Sequence, residues 1–322
     1  KARYDVFPPQ LTSDTFWFNT IYREGKGINV LSTANNHSLD MGVDGLFETC
    51  EFLNKTGVTW VGTGRTKEER DDLPVVERSG IKYGFLSWTF GLNNYENPED
   101  KPYLSNHLRI NLENPDLSPI TRDVEILRKK GADVIVGLIH WSLEFECWPM
   151  AHLIETGHRL LSECGIDIVS GNHAHNVQPV EVYRYEKDGV KKQGIIFYAH
   201  GDLVSAISMC KNEVLNYISR VQVEKGTLNG IEQTIISGFD LLPTYRYGVN
   251  DQNNKNCVLY QQLFKLDKLV SMVENGEELP FEISEEKRLH ILHLKKLVQR
   301  VIPYAYSDYN QLSFNAEVVT GI

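Results

Sequence analysis

The first half of the chain repeats one pattern, in which a hydrophobic run, a polar loop and an amphipathic stretch follow one another. Between Ile28 and Gly62 the order is INVLST, the loop ANNHSLDMG, a stretch with apolar residues at Leu46, Cys50 and Leu53, and then VTWVG. Apolar positions three and four residues apart lie on one face of a helix, whereas short β-branched runs favour strands. This segment therefore predicts a β-loop-α-β unit.

Two further segments have the same order. Ile120, Val124 and Leu127 predict a helix that stops at Gly131, and the run ADVIVGLI predicts a buried strand that ends at His140. In the third segment, one face of a predicted helix comprises Leu153, Gly157, Leu160 and Cys164, and the helix stops at Gly165. The strand IDIVS and the loop GNHAH follow. Ligands of layered α/β folds bind at the carboxyl ends of strands, so the three polar loops form the candidate site.

After Pro179 the pattern changes to paired strands. VEVYRY and IIFYAHGDLV flank a turn at Lys187-Asp188-Gly189, and NYISRVQVEKG precedes GIEQTIISGF. Alternating runs on either side of turn residues are typical of β-hairpins. We expect antiparallel strands of a second sheet here.

From about Asn250 the sequence becomes charged, with a helical period. One apolar stripe comprises Leu263, Leu266, Val270 and Val273, and a second comprises Leu294, Val298 and Val301. We therefore expect one domain over residues 1–249 and a helical accessory region over residues 250–322.

The composition limits the class of protein. The chain has 322 residues, 41% of them hydrophobic, which suits one large α/β domain with or without a smaller appendage. Its formal net charge is -10. Proteins that bind the nucleic-acid backbone need clustered positive charge, so nucleic acid is not expected as a partner. An anionic substrate would need a local positive group, which bound metal ions would supply.

Cysteines and hydrophobic runs bear on the cellular compartment. The five cysteines are scattered without a C-x-x-C spacing, which predicts neither a disulfide framework nor a zinc knuckle. Cys50 and Cys164 fall on apolar helix faces and are expected in the core. Free cysteines fit a reducing compartment. No run approaches the roughly 20 apolar residues of a membrane-spanning helix, and the first residues do not show the basic-then-apolar pattern of a signal peptide.

The three polar loops hold most of the unusual residues. They contain Asn35, Asn36, His37 and Asp40 in the first loop, His140, Trp141 and Glu144 in the second, and Asn172, His173 and His175 in the third. A buried polar group without a partner costs roughly a few kcal/mol, so placement toward solvent or a metal is favoured. Imidazole nitrogens and amide oxygens are suitable ligands for Zn, Mn or Fe, and His173 and His175 can reach one site from a single segment.

The order of these blocks resembles a known family. Asn-His, then His, then Gly-x-His-x-His is similar to the calcineurin-like metallophosphoesterase superfamily. More narrowly, STANNHSLDMG, LIHWSLEFE, SGNHAHNVQPVEVY and IIFYAHGDLV resemble the poly-γ-glutamate capsule-synthesis CapA family over about residues 5–225. The blocks ANNH-x-x-D, HW-x-x-E and G-x-H-x-H-x-x-Q-P in this order are specific to it. The resemblance implies an α/β fold, a metallophosphoesterase-like four-layer α/β/β/α sandwich.

The resemblance also implies roles for individual residues. The expected ligands of a pair of divalent metal ions, Mn, Fe or Zn, are Asn36, His140, His173 and His175. His37 would be the acid, or the group that stabilises the transition state beside the metals. Glu144 would contact substrate or orient a histidine, or it is an exposed loop residue without a role. The implied chemistry is hydrolysis of a phosphoester or amide bond.

The sequence also departs from the family's pattern. The family's early Gly-Asp and Asn-Leu-Glu blocks are expected upstream of Tyr4, and Asn111 to Glu113 come too late in the order to replace them. Without the upstream aspartate, the chain as given is expected to bind one metal weakly or none. The third loop reads Asn172-His173-Ala174-His175 where the family has His-His-Pro-His.

Several neighbouring residues have structural alternatives. Asp40 directly precedes a helix and fits a helix cap or a partner of a ligand better than a ligand itself. His200 and Asp202 follow a strand and could approach the site, although a Gly-Asp turn needs no function to explain it. Trp141 and Trp148 would either shape a substrate wall or simply pack.

Two functions remain in competition. The first is a metal-dependent hydrolase-like protein associated with capsule or poly-γ-glutamate biosynthesis, acting on an anionic polymer or on a phosphoester or amide substrate. The second is a non-catalytic accessory subunit of a membrane polymer synthase or exporter that binds anionic polymer. The amide and imidazole residues favour the first, and the changed motifs favour the second. The family suggests a membrane-anchored cell-envelope protein, whereas the cysteine usage suggests the cytoplasm.

Overall fold

The chain folds into two compact units. The computed structural model describes residues 11, 15–205, 210–228, 231–250, 258–303 and 310–311. The first unit comprises Lys1–Trp141 and Ala151–Val169, and the second comprises Ser142–Met150 and Ser170–Ile322. The domain boundary expected near residue 249 lies inside the second unit and stays a prediction.

The first unit alternates strands and helices. Its helices are α1 (Thr15–Ile21), α2 (Gly42–Thr56), α3 (Lys67–Asp71), α4 (Ser118–Lys129) and α5 (Ala151–Ser162). Its strands are β1 (Tyr22–Arg23), β2 (Lys26–Gly27), β3 (Val30–Ser32), β4 (Thr59–Val61), β5 (Val75–Arg78), β6 (Ile81–Thr89) and β7 (Val134–His140), and β8 (Ile168–Asn172) begins there. Strands β5, β6, β7 and β8 are successive neighbours in a mixed sheet, with β5–β6 antiparallel and β6–β7 parallel.

The predicted β-loop-α-β unit is confirmed. Strands β3 and β4 pair in parallel, and α2 connects them. Leu46, Cys50 and Leu53 form the buried face of α2, as their spacing predicts. The helix ends at Gly57, whose φ of 74° is left-handed and therefore favours glycine.

Close packing behind the first polar loop depends on Gly62. Its φ is +119°, and a Cβ added there would lie 2.7 Å from the Cβ and the backbone nitrogen of Ala34. Ala34 is fully buried and directly precedes the loop. Glycine is therefore required at this position, because a side chain would displace the start of the loop.

The second and third predicted segments also have the expected structure. Helix α4 buries Ile120, Val124 and Leu127, and Gly131 follows it with a left-handed φ of 84°. Helix α5 buries Leu153, Gly157 and Leu160, and Cys164 is buried just beyond its end. Each helix therefore presents an apolar face, and β7 and β8 follow as the predicted buried strands.

The second unit is built mainly from antiparallel strands. It contains the end of β8, then β9 (Val180–Lys187), β10 (Val190–Phe197), β11 (Leu215–Leu228), β12 (Ile231–Asn250), β13 (Val258–Lys265), α6 (Leu266–Glu274), α7 (Glu285–Val301) and β14 (Asn310–Gln311), with a 3-10 turn at Lys211–Val214. β9 pairs with β10 and β11 pairs with β12, both antiparallel. The two predicted hairpins are therefore confirmed. The expectation that both belong to a second sheet is wrong for β9 and β10, because β10 lies beside β8 in the sheet of β5–β8. Strands β11 and β12 do belong to a separate sheet, with β13 and β14.

The region after Asn250 differs in part from the predicted helical region. Strand β13 pairs with β12, so residues 258–265 are a strand and Leu263 does not belong to a helical stripe. Helix α6 begins only at Leu266. Residues 258–265 form a strand because they pair with the edge of β12, and this pairing overrides a weak local preference for helix. Helix α7 does bury the predicted residues Leu294, Val298 and Val301.

These elements confirm a mixed α/β fold. The finer expectation of a four-layer α/β/β/α sandwich stays a prediction. Across the described part of the chain, no helix has the length and apolar character needed to cross a membrane.

Candidate functional site

The first unit brings Asn36 and His140 into contact. Asn36 lies in the loop after β3 and is 4% exposed, and His140 is the last residue of β7. The Nε2 atom of His140 lies 2.9 Å from Oδ1 of Asn36. The Asn36 amide nitrogen donates to Oδ1 of Asn93 at 3.0 Å. The amide oxygen and the imidazole nitrogen that were expected as metal ligands thus face each other.

Local hydrogen bonds shape the loop that carries Asn36. The backbone N–H of His37 donates to Oδ1 of Asn35 at 2.8 Å, and the backbone N–H of Asn35 donates to Oγ of Ser38 at 2.9 Å. The Ser38 hydroxyl donates to the Thr33 carbonyl at 2.8 Å. Short polar side chains form such turns because they bond to the backbone nearby. The sequence TANNHS therefore encodes this tight turn directly.

Asp40 is the partner of His37. The Nδ1 atom of His37 lies 2.7 Å from Oδ2 of Asp40, whose side chain is 2% exposed. The same oxygen accepts the backbone N–H of Leu11 at 2.6 Å. Met41, rather than Asp40, is the N-cap of α2, and it makes no side-chain capping bond. With Nδ1 held by Asp40, Nε2 is the nitrogen of His37 that could meet a substrate.

The second unit holds His173 and His175 in strained backbone conformations. They follow the end of β8, and their φ values are 92° and 59°. Their rings lie 6.2 Å apart between centroids. A left-handed φ in a bulky residue costs about 1–3 kcal/mol and persists mainly at binding and catalytic sites. The strain therefore supports the prediction that this loop is functional.

Asp202 orients His175. The Nδ1 atom of His175 lies 3.0 Å from both carboxylate oxygens of Asp202. Burial lowers the pKa of the His175 imidazole, but the hydrogen bond and charge of Asp202 outweigh it, and the pKa is raised overall. The carboxylates of Glu144 and Glu213 raise this pKa further. The electrostatic surroundings of His175 are therefore negative.

Phe145 covers one face of His175. The two rings stack with centroids 5.5 Å apart and planes inclined by 19°. The Phe145 N–H donates to the Ala174 carbonyl at 2.7 Å, and its carbonyl accepts from Nδ2 of Asn176 at 2.5 Å. The φ of Phe145 is 68°, so this residue is strained as well. Both sequence neighbours of His175 thus hold the phenyl ring in place.

The remaining predicted residues have different surroundings. Glu144 is exposed, and its catalytic role stays a prediction. Trp141 is fully buried and packs in the core, whereas Trp148 is 49% exposed. Of these two tryptophans, only Trp148 is therefore exposed enough to line a substrate-binding surface.

His200 is held by hydrogen bonds on both ring nitrogens. Its Nδ1 lies 3.3 Å from the Gly171 carbonyl oxygen, and its Nε2 lies 3.0 Å from Oγ of Ser219. Its ring centroid is 5.3 Å from that of Phe197 and 4.7 Å from that of Tyr217. Burial lowers the pKa of His200 to about 4, although the bond to Gly171 opposes the shift.

Two residues of the site were missed by sequence reasoning. Asn93 contacts Asn36 and also lies 3.4 Å, through Nδ2, from Nδ1 of His37. The loop GLNNYENP after strand β6 was a usable signal, because it is another polar loop at a strand end. Phe145 gave no such signal, since an aromatic residue beside a loop usually only packs.

The donor atoms of both units suit a transition metal. In the described ranges, no group of three or more His, Cys, Asp or Glu side chains is placed to hold a metal ion. The pairs Asn36–His140 and His173–His175 offer amide oxygen and imidazole nitrogen, which are ligands for Zn, Mn and Fe. Metal-binding histidines commonly give their second nitrogen to a carboxylate, as His175 does with Asp202. The residues present therefore fit a metal by donor chemistry.

A family comparison agrees with the resemblance seen in the sequence. Residues 24–206, more than half of the chain, match the family described as Bacterial capsule synthesis protein PGA_cap. The chain belongs to this family. The predicted site residues all lie inside the matched range, and they are Asn36, His37, His140, Glu144, His173 and His175.

Three curated relatives are similar to parts of this PGA_cap chain. The Capsule biosynthesis protein CapA of Bacillus anthracis is 29% identical over 55% of this chain and 40% of its own. The PGA biosynthesis protein CapA of Bacillus subtilis (strain 168) is 24% identical over 81% of this chain and 63% of its own. A Probable polyglutamine synthesis accessory protein of Mycobacterium tuberculosis is 27% identical over 55% of this chain and 45% of its own. The chain thus spans less than two thirds of each relative.

Proposed function

We propose that this PGA_cap protein is a metal-dependent hydrolase-like protein that acts in capsule or poly-γ-glutamate biosynthesis. The observation that carries the proposal is that each unit holds metal-ligand atoms on strand-end loops. Oδ1 of Asn36 lies 2.9 Å from Nε2 of His140 in the first unit, and the rings of His173 and His175 lie 6.2 Å apart in the second. A structural scaffold has no physical need for strained histidines. The names of the two CapA relatives suggest the biosynthetic context.

We assign Asn36, His140, His173 and His175 as metal ligands. Divalent ions bound to them, Mn, Fe or Zn, would supply positive charge and a Lewis acid. Asp40 fixes the ring of His37 so that its Nε2 can donate a proton or a hydrogen bond to a leaving group or oxyanion. Glu144 would receive or orient the substrate from the exposed side of the loop. The substrate would be an anionic polymer, or a phosphoester or amide within one.

The negative surroundings of His175 favour a metal-dependent site over metal-free binding of an anionic polymer. The carboxylates of Asp202, Glu144 and Glu213 all act on the His175 imidazole. A polyanion approaching this loop would be repelled unless cations neutralised these charges, and bound metal ions are usually the largest local charges in a site. The same argument makes the loop a poor anion-binding surface without metal.

Metal analysis of the purified protein tests the proposal. After incubation with Mn, Fe or Zn, mass spectrometry of the metal content should find bound metal, and a His173→Ala, His175→Ala double variant should lose most of it. A His152→Ala, His158→Ala double variant is a control, because it removes two imidazoles from α5 and should keep the metal. Metal that is substoichiometric and insensitive to the His173 and His175 changes would contradict the proposal.

The second candidate is a non-catalytic accessory subunit of a membrane polymer synthase or exporter. The name of the Mycobacterium tuberculosis relative, a probable polyglutamine synthesis accessory protein, favours it. In that case the same loops would bind polymer or a synthase component without hydrolysing a bond. Phosphodiester and amide hydrolysis assays on the metal-loaded protein separate the two candidates. Turnover that disappears in His37→Ala but not in His293→Ala would favour the hydrolase.

A further inference from the structure

In the second unit, one side chain joins Cys210 to the segment that carries Phe145 and Cys147. The thiol of Cys210 donates to Oδ1 of Asn176 at 3.5 Å. The Nδ2 atom of the same amide donates to the carbonyl of Phe145 at 2.5 Å, two residues before Cys147. A single side-chain amide therefore connects Cys210 to the segment that contains Cys147.

A second hydrogen bond fixes the same segment. Nε2 of Gln178 donates to the carbonyl of Glu146 at 3.0 Å, so the two peptide groups directly before Cys147 are both held. Burial raises the pKa of the Cys147 thiol, and the neighbouring Cys210 and Glu146 raise it further. Asn176 thus ties Cys210 to the segment of Cys147, and the charge of Cys210 acts on the Cys147 thiol.

The exposure of these two cysteines differs from that of the core cysteines. Cys147 and Cys210 are half-buried, whereas Cys50 and Cys164 are buried at 0% and 3% exposure. A small oxidant can reach a half-buried thiol but not one inside a packed core. The two cysteines that the Asn176 hydrogen bonds link are therefore also the accessible ones.

We propose that Cys147 and Cys210 form a reversible disulfide, which makes them a redox modification site. A thiolate of one cysteine attacks a disulfide oxidant such as oxidised glutathione, and one glutathione thiol leaves. The thiolate of the second cysteine then displaces the other glutathione. Two protein thiols lose two protons and two electrons in total, and the oxidant becomes two thiols. This proposal is independent of the metal-binding function.

The bond would restrain a segment that contacts the candidate site. It would link the Phe145–Cys147 segment to the 3-10 turn at Lys211–Val214, which directly follows Cys210. Phe145 stacks on His175. Oxidation would therefore hold the phenyl ring more firmly on that histidine than the hydrogen bonds of the reduced protein do.

Thiol–disulfide equilibrium measurements test this proposal on the full chain. The reduced protein is equilibrated in glutathione redox buffers, quenched with acid and digested without reduction for mass spectrometry. We expect a cross-linked peptide pair containing Cys147 and Cys210, with the loss of two hydrogens. Either Cys147→Ser or Cys210→Ser should abolish it, whereas Cys164→Ser should leave it unchanged.

The same buffers give the effective concentration of the two thiols. Folding should raise it by at least about tenfold over the value in guanidinium chloride, because the fold holds the thiols together. The proposal is wrong if Cys147 forms only a mixed disulfide with glutathione, or if Cys210 pairs with Cys257, which lies outside the described residues. Equal effective concentrations in the folded and unfolded chain would also overturn it.

Discussion

Two histidines of the site are oriented by carboxylates through the same contact at different sequence distances. His37 reaches Asp40 three residues away, and His175 reaches Asp202, which lies 27 residues further along the chain. Each carboxylate occupies Nδ1 and thereby directs Nε2 elsewhere. The first pair is visible in the motif ANNH-x-x-D. The second pair could only be weighed as a candidate, because nothing in a sequence shows which distant aspartate a histidine will meet.

His200 should make the stability of the protein depend on pH. Its folded-state pKa is lowered to about 4, whereas an unfolded histidine has a pKa near 6.5. Below pH 6.5 the unfolded chain therefore takes up a proton that the folded state excludes. Its contribution is complete above pH 6.5 and is lost as the pH falls toward 4, by about 1–2 kcal/mol at pH 5. Urea unfolding of the wild type and of His200→Gln at pH 7 and pH 5 measures the difference.

The variant should lose less stability between these pH values than the wild type. Ser219→Ala is the matched control, since it removes a hydrogen-bond partner of His200 but keeps the titrating ring. It should retain the pH dependence while lowering stability at both pH values. If the free energy of unfolding of His200→Gln falls between pH 7 and pH 5 as much as that of the wild type, other groups cause the acid sensitivity.

At the scale of elements, a buried ion pair joins α3, α4 and β6. Asp123 of α4 is fully buried and accepts from Nη1 and Nη2 of Arg70 in α3 at 2.7 and 2.9 Å. It also accepts from Nε1 of Trp88 in β6 at 3.0 Å, and the guanidinium lies over the Trp88 ring, 5.1 Å from its centroid. The helical period correctly predicted the apolar face of α4. It could not predict that an aspartate would be buried on that helix, because the partner lies 53 residues away.

Removing one member of this pair should destabilise the first unit strongly. Asp123→Ala removes the fully buried carboxylate and leaves the Arg70 guanidinium with the partly exposed carboxylate of Asp71, 3.0 Å from Nη1. We therefore expect a cost of about 3 kcal/mol, the lower end for breaking a buried pair. Arg122→Ala breaks the exposed pair with Asp71 and should cost less than about 1 kcal/mol. Chemical denaturation followed by circular dichroism compares the two. An Arg70→Met, Asp123→Leu double variant should recover most of the lost stability, because it removes both buried charges. Equal losses of stability in Asp123→Ala and Arg122→Ala would refute this explanation.

At the scale of the whole molecule, the negative charge determines which partners can bind without neutralising cations. The net charge is -10, and carboxylates surround His175 locally. Protein and polyglutamate would repel each other both at long range and at the third loop. The proposed polymer interaction is therefore conditional on cations.

Polymer binding should therefore depend on metal. Fluorescence anisotropy with labelled poly-γ-glutamate should show binding at least about tenfold tighter with Mn²⁺ than with a chelator, because the ions neutralise the carboxylates around the site. The His173→Ala, His175→Ala variant should bind weakly under both conditions. If neither the chelator nor the double substitution changes the affinity, the polymer binds to another surface.

The sequence by itself determined the local features of this protein. The β-loop-α-β order, the buried faces of α2, α4 and α5, the hairpins and the turn that carries Asn36 follow from hydrophobic period and from side chains that bond to nearby backbone. The PGA_cap motifs could likewise be recognised in the sequence, because each motif consists of residues that are close together along the chain.

Only the tertiary structure decided which distant residues meet. It paired Asn36 with Asn93, His175 with Asp202 and Phe145, and β13 with β12. It also placed Cys210 against Asn176, whose amide holds the segment before Cys147, where scattered cysteines had predicted no disulfide framework. Such contacts depend on the packing of whole elements, and a linear pattern carries no record of that packing.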